Sequence, residues 1–143
     1  MPQEQNLSPE EYNAELLKKE QEVLEKNLFA KYNHVRLSVV ERDHVEVYLD
    51  IVPESLNARG TVHGGAYFAM ADACAGIVSR TDGRMYVTQT ATVQYLRAAT
   101  EGRLTAVGTV LHRGRTSCLV EIRIAEDSGK PVFMGTFLFH CIG

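Results

Sequence analysis

Between Ala66 and Ser79 the chain runs fourteen residues, AYFAMADACAGIVS, with a single charge among them, Asp72. The alanine content favours a helix, and apolar residues on nearly every side of it mean that the helix must be buried in something. The spacing predicts this helix from about Gly64 to Arg80, opened by His63-Gly64-Gly65 and ended by Asp82-Gly83. A lone carboxylate among Ala, Met, Cys, Ile and Val is costly to bury unless something pairs with it or uses it. Asp72 is therefore the first residue for which a role has to be found.

The other segments supply what could bury such a helix. Ser8-Pro9-Glu10-Glu11 reads as a helix start, with Ser8 as N-cap, Pro9 at the first helical position and Glu11 closing a capping box. The helix that follows, about 9–27, carries Leu16, Leu17, Val23, Leu24 and Leu28 toward one side. Its plain reading is a packing arm without a chemical role. From Val35 the period changes to two: Leu37, Val39, then Val45, Val47, Leu49 and Ile51 alternate with polar residues around a turn at Glu41-Arg42-Asp43-His44. That pattern is a β-hairpin. Four more strand-like runs follow at about 84–97, 102–113, 117–126 and 131–142, separated at Glu101-Gly102, Arg113-Gly114-Arg115 and Asp127-Ser128-Gly129-Lys130. The order is helix, two strands, one long apolar helix and four strands. The expected class is α+β, an antiparallel sheet of about six strands curled around the helix. The division expected is a helical extension over 1–32 and a main domain over 33–143.

Composition narrows the partners. A net charge of −3 over 143 residues gives no support for nucleic acid as a bulk partner, so an anionic ligand would need a local group of arginines. No apolar run reaches the roughly 18–20 residues of a bilayer span. The acidic, polar N-terminus is not a secretory signal. Cys74, Cys118 and Cys141 are an odd number without metal spacing, which predicts reduced thiols in a cytoplasmic protein.

Three readings compete for Asp72. It can cap or pair at a helix edge. It can bind a metal, but no second carboxylate or His lies three or four residues on, so no metal site and no cofactor are expected. Or it can be a catalytic carboxylate. His63 and Asp72 fall on opposite faces of the helix about 13 Å apart along its axis, while Gly65 and Asp72 share a face about 10 Å apart. One chain cannot bring its own helix start and its own Asp72 to a single reacting carbon. Two antiparallel helices from two copies can. The helix start has chemistry of its own: free N–H groups at Gly64 and Gly65, with the positive end of the dipole, suit a carbonyl oxygen gaining negative charge.

Asn57-x5-His63-Gly64-Gly65-x6-Asp72 resembles the hotdog-fold acyl-CoA thioesterases, in the PaaI-like branch of phenylacetate-pathway type. The resemblance covers roughly 33–142 and includes VTQTATVQYLRAA and GTVLHRGRTSCLVEIRI. It implies the hotdog fold, a long helix wrapped by an antiparallel sheet. It also implies hydrolysis of an acyl-CoA thioester in sites shared across a homodimer, with dimers pairing into a tetramer. By resemblance, Asp72 activates water or attacks the thioester, Gly64 N–H is the oxyanion donor, Asn57 lies near the carbonyl and His63 positions. Thr88 supplies a hydroxyl near the water, with Thr90, two residues on, as reserve. Coenzyme A phosphates would meet Arg113, Gly114 and Arg115, with Arg97 as a second cation; Gly65 belongs to the same substrate set. Cys74, His34, His44 and His140 take no chemical role, and Tyr67, Phe68 and Met70 are open as acyl-pocket wall or core. The alternatives are an acyl-CoA-binding sensor without catalysis, or a hotdog hydratase or dehydratase. The acyl group, and coenzyme A against a carrier protein, stay open at this point.

Overall fold

In the computed structural model, which describes residues 6–143, the apolar segment forms helix α3 (Gly64–Ser79), followed by one 3-10 turn over Arg80–Asp82. Gly83 ends the turn at φ 86°, in the left-handed region that glycine enters without strain. Around α3 stand β1 (Arg36–Glu41), β2 (His44–Asp50), β3 (Tyr86–Tyr95), β4 (Arg103–Arg113), β5 (Ser117–Glu126) and β6 (Pro131–Cys141). They form one sheet in the order β1-β2-β4-β5-β6-β3, every neighbouring pair antiparallel. The six strands and the long central helix stand as the sequence predicts.

The core lies between α3 and the concave face of the sheet. Met70, Ala71, Cys74, Ala75 and Val78 of α3 are fully buried against Val45, Val47, Leu104, Ala106, Val120 and Ile122. Each large side chain taken out of water in this layer contributes about 1.5–3 kcal/mol. Gly108 of β4 sets how closely the layers approach: a Cβ there would stand 2.9 Å from Cys74 Sγ and 3.0 Å from Ile122 Cδ1. The enclosure is one-sided. Gly65, Phe68, Asp72 and Gly76, spaced three and four apart, form a stripe of α3 on the side of edge strand β3 that is only half-buried or exposed. The helix is thus apolar all round because two different surfaces are built on it.

Helix α1 (Pro9–Lys26) starts as expected, with Ser8 Oγ accepting from Glu11 N–H at 3.1 Å and Glu11 accepting from Ser8 N–H at 2.8 Å. Its buried stripe differs from the expected row of leucines. It consists of Leu16, Glu20 and Leu24, while Val23 is partly exposed and Leu28 stands 74% exposed. The helix breaks at Asn27, which ends α1 and caps a short α2 (Leu28–Tyr32) by accepting from Ala30 N–H at 3.1 Å. Glu20, 1% exposed, is matched by Arg80 at the end of α3, with contacts of 2.7 and 3.3 Å. Tyr12 donates to Thr81 O at 2.6 Å, and Asn13 accepts from Arg42 N–H in the β1–β2 turn. These contacts clamp α1 across the end of α3 and the hairpin turn.

Candidate active site

Asp72 projects from the open stripe of α3, half-buried rather than enclosed. Thr88 Oγ1 of β3 donates to its Oδ1 at 3.1 Å. Strand β3 selects this threonine by a bulge. Thr88 pairs with Phe139 and Thr90 with the adjacent Leu138, leaving Gln89 as the extra residue. Opposite residues of an antiparallel pair share a face, so Thr88 lies on the side of buried Phe139 and α3, and Thr90 on the outer side. A regular strand would have put both on one side, as the spacing alone suggests. Replacing Thr88 by valine is expected to lower thioester turnover by about 10–100-fold, on the scale of a catalytic hydrogen bond, while Thr90→Val leaves it within a factor of two. Thiol release by the two variants checks this.

The helix start is built by His63. Its Nδ1 accepts from Gly65 N–H at 2.8 Å, which caps α3 and puts the neutral imidazole's proton on Nε2. A Cβ on residue 65 would lie 3.0 Å from that Nδ1, so glycine leaves room for the cap. The expectation of two free donors is thus corrected to one. Gly65 N–H is taken by the imidazole, while Gly64 N–H has no protein acceptor among the described residues. Gly64 and Arg97 line a common groove of about 420 Å³ with Tyr95 and Leu96. Asp72 does not line it. Its own groove, of about 500 Å³, reaches back along α3 to Gly65.

Other residues singled out in the sequence are spent on structure. The Asn57 amide donates to Thr61 Oγ1 at 2.9 Å and accepts from the N–H groups of Arg59 and Thr61. These bonds fold the loop that leads into α3 and fix the amide beside the helix start, with one Nδ2 hydrogen unused among the described residues. Arg113 is turned inward: its guanidinium meets Asp43 at 2.8 Å, Asp82 at 3.0 Å, Ser79 O at 2.9 Å and Tyr86 Oη at 3.1 Å. Those acceptors occupy its terminal nitrogens, and it does not present a cation to a phosphate. Burial alone would push the Asp82 carboxyl up, but hydrogen bonds from Tyr86 and Arg84 and the charge of Arg113 hold it below its usual range. Burial, then the Asp82 hydrogen bond, pushes Tyr86 up to about 12.

Arg84, which no motif marked, donates to the carbonyls of Gly114 and Arg115 at 3.0 and 2.8 Å and shapes the β4–β5 turn. Arg97 and Arg115 are the exposed arginines of the set, without protein partners for their side chains among the described residues. Cys74 is core: its thiol donates to Val45 O at 3.5 Å, and burial pushes its ionisation far up. Tyr67 and Met70 are core as well, while Phe68 faces the groove. Among the described residues no group of three or more His, Cys, Asp or Glu could hold a metal, and no helix is long and apolar enough to cross a membrane.

The sequence profile of the thioesterase superfamily matches residues 59–133, which contain the helix start, Asp72 and Thr88. The chain belongs to the thioesterase superfamily. A protein of Deinococcus radiodurans is 36% identical over 98 residues, a match that spans 66% of each chain. The acyl-coenzyme A thioesterase PaaI of Escherichia coli is 26% identical over 120 residues, 83% of this chain and 86% of that one. The PaaI structure superposes with a TM-score of 0.85 over 92% of this chain and 96% of its own, at 23% identity, which shows the hotdog fold. A hypothetical thioesterase of Streptococcus pneumoniae, solved with coenzyme A, is 30% identical with a TM-score of 0.78, covering 84% of this chain and 97% of its own. The pneumococcal thioesterase has also been solved with one aspartate, and separately one threonine, replaced by alanine, at positions sixteen residues apart.

Proposed function

We propose that the protein hydrolyses acyl-CoA thioesters to the free acid and coenzyme A in sites shared between two copies of the chain. The observation that carries this reading is the pairing of Asp72 with Thr88 on the open stripe of α3. The same separation, sixteen residues, divides the aspartate and threonine replaced in the pneumococcal thioesterase. Thr88 occupies Oδ1 and fixes the carboxylate, which leaves Oδ2 to take a proton from water. The water oxygen adds to the thioester carbonyl carbon, and the carbonyl oxygen, now negative, accepts from the unpaired N–H of Gly64 in the other copy. Collapse re-forms the carbonyl, breaks the C–S bond and releases the coenzyme A thiolate, which is protonated. Attack by Asp72 itself, through an anhydride that water then opens, uses the same groups. Arg97, beside Gly64, and Arg115 are the cations available for coenzyme A phosphates.

The second copy is supported by β3. It lies at the sheet edge, ten residues long and exposed over most of its length, with Val87 and Tyr95 47% and 52% exposed. A long edge strand with apolar side chains is a template for pairing with another chain. Two copies joined there bring two open α3 stripes into register for the antiparallel arrangement the site requires. The free thiols suit a reducing compartment, the cytoplasm.

Subunit mixing tests sharing. Asp72→Asn and Gly64→Pro are each expected to be inactive; proline removes the N–H at a position where helices accept it. A heterodimer of the two carries both lesions in one site and none in the other. Mixing the two inactive proteins is therefore expected to restore turnover, and absence of recovery in verified heterodimers overturns the shared site.

A further inference from the structure

Two grooves meet at Asp72. One, of about 240 Å³, follows the open stripe of α3 past Gly76 to Arg80. The other, of about 500 Å³, follows the stripe back to Gly65. The second is the apolar one, bounded by the rings of Phe29, Phe68 and Tyr95 and by the small side chains of Ala30, Ala69 and Ala73. Its outer wall comes from the helical arm, for which the sequence left open a packing role or a cover over the acyl pocket or an interface. That wall is fixed in place. Ala30 is 2% exposed, its carbonyl accepts from Val35 N–H at 3.0 Å, and Asn33 Nδ2 donates to Phe29 O at 2.9 Å. Upstream, the buried Glu20–Arg80 pair clamps α1 to α3.

Helix α2 leaves three large apolar side chains in water: Leu28 at 74%, Phe29 at 69% and Tyr32 at 81% exposure. Of these, Phe29 lines the groove that ends at Asp72, whereas Leu28 and Tyr32 do not. A carboxylate that acts on a thioester carbonyl must have the acyl group within a few ångströms, and this groove offers that group an apolar surface continuous with Asp72. Covering the Phe29 ring with the acyl group removes apolar area on both sides from water.

We propose that Phe29 is a specificity-determining residue, forming with Phe68 the wall against which the acyl group packs. The substrates favoured are thioesters whose acyl group is apolar and of aromatic-ring or medium-chain size, over acetyl thioesters. This rests on the thioesterase reading above, and the test separates the two.

The ratio of kcat/KM for octanoyl-CoA and for benzoyl-CoA to that for acetyl-CoA is measured in the parent protein, Phe29→Ala and Leu28→Ala. The ratios are expected to fall roughly tenfold in Phe29→Ala, as for partial loss of one ring contact, and to be unchanged in Leu28→Ala. Both side chains are exposed, so neither variant threatens the fold. The second measurement is calorimetric, on the Asp72→Asn background, where substrate survives: octanoyl-CoA is expected to bind more tightly than coenzyme A, and Phe29→Ala is expected to shrink that margin. Ratios and margin unchanged by Phe29→Ala, or an equal loss in Leu28→Ala, overturn the proposal. A parent protein that hydrolyses none of the thioesters, yet keeps a margin that Phe29→Ala removes, overturns the thioesterase reading and leaves the acyl wall standing.

Discussion

Asp72→Asn is expected to reduce acyl-CoA hydrolysis by about 10³-fold, within the range for loss of a general base, without loss of the fold. The carboxylate sits half-exposed on the open stripe of α3, and its only side-chain partner among the described residues is Thr88. An isosteric amide keeps an oxygen for that hydroxyl, so the change in stability is expected within about 0.5 kcal/mol. Thiol release measures the first quantity and a thermal melt the second. Turnover near that of the parent means that Asp72 is a surface acid and the mechanism is wrong. A collapse in stability instead means that Asp72 is part of the frame.

The largest effect on stability belongs to Arg80. Arg80→Met strands the carboxylate of Glu20, 1% exposed and, among the described residues, with Arg80 as its one side-chain partner, beneath α1. Breaking a buried pair from one side costs about 3–5 kcal/mol, because the remaining charge has lost both water and its partner. For a domain of this size the melting temperature is expected to fall by about 10 °C. Glu20→Leu in the same chain removes the stranded charge and is expected to restore most of the loss, since an apolar pair of similar volume fits the site. A single variant that melts with the parent shows that α1 is not clamped there. The pair also bears on chemistry: it holds the arm that carries Asn27 and Phe29 to the groove beside Asp72.

Much of the frame was legible because its causes are local. The capping box at Ser8 and Glu11, the alternation through Val45, Val47 and Leu49 and the apolar run of α3 each depend on neighbours a few residues away. The turn at Arg42-Asp43 was equally readable, because Asp tolerates the left-handed conformation, φ 63°, that the hairpin needs. Glu20 was not readable as buried: a charged residue between Leu16 and Leu24 looks like solvent-facing polarity until Arg80, sixty residues on, arrives beside it. Arg113 misled for the matching reason. A basic residue next to a glycine turn looks free for an anion, yet Asp43 and Asp82 reach it from two distant parts of the chain.

The lone acid in an otherwise apolar helix, with glycines at the helix start, was enough to single out Asp72 and to separate it from His63, since helical rise and rotation are properties of the backbone. Strand pairing decided between the threonines. The bulge at Gln89 reverses the alternation, so Thr88 meets Asp72 while Thr90 turns to the outer face. Packing of the helical arm decided that the groove beside Asp72 has a wall containing Phe29. Neither outcome follows from nearby residues, because both depend on which distant segments meet, and the burial of apolar surface across the whole chain sets that.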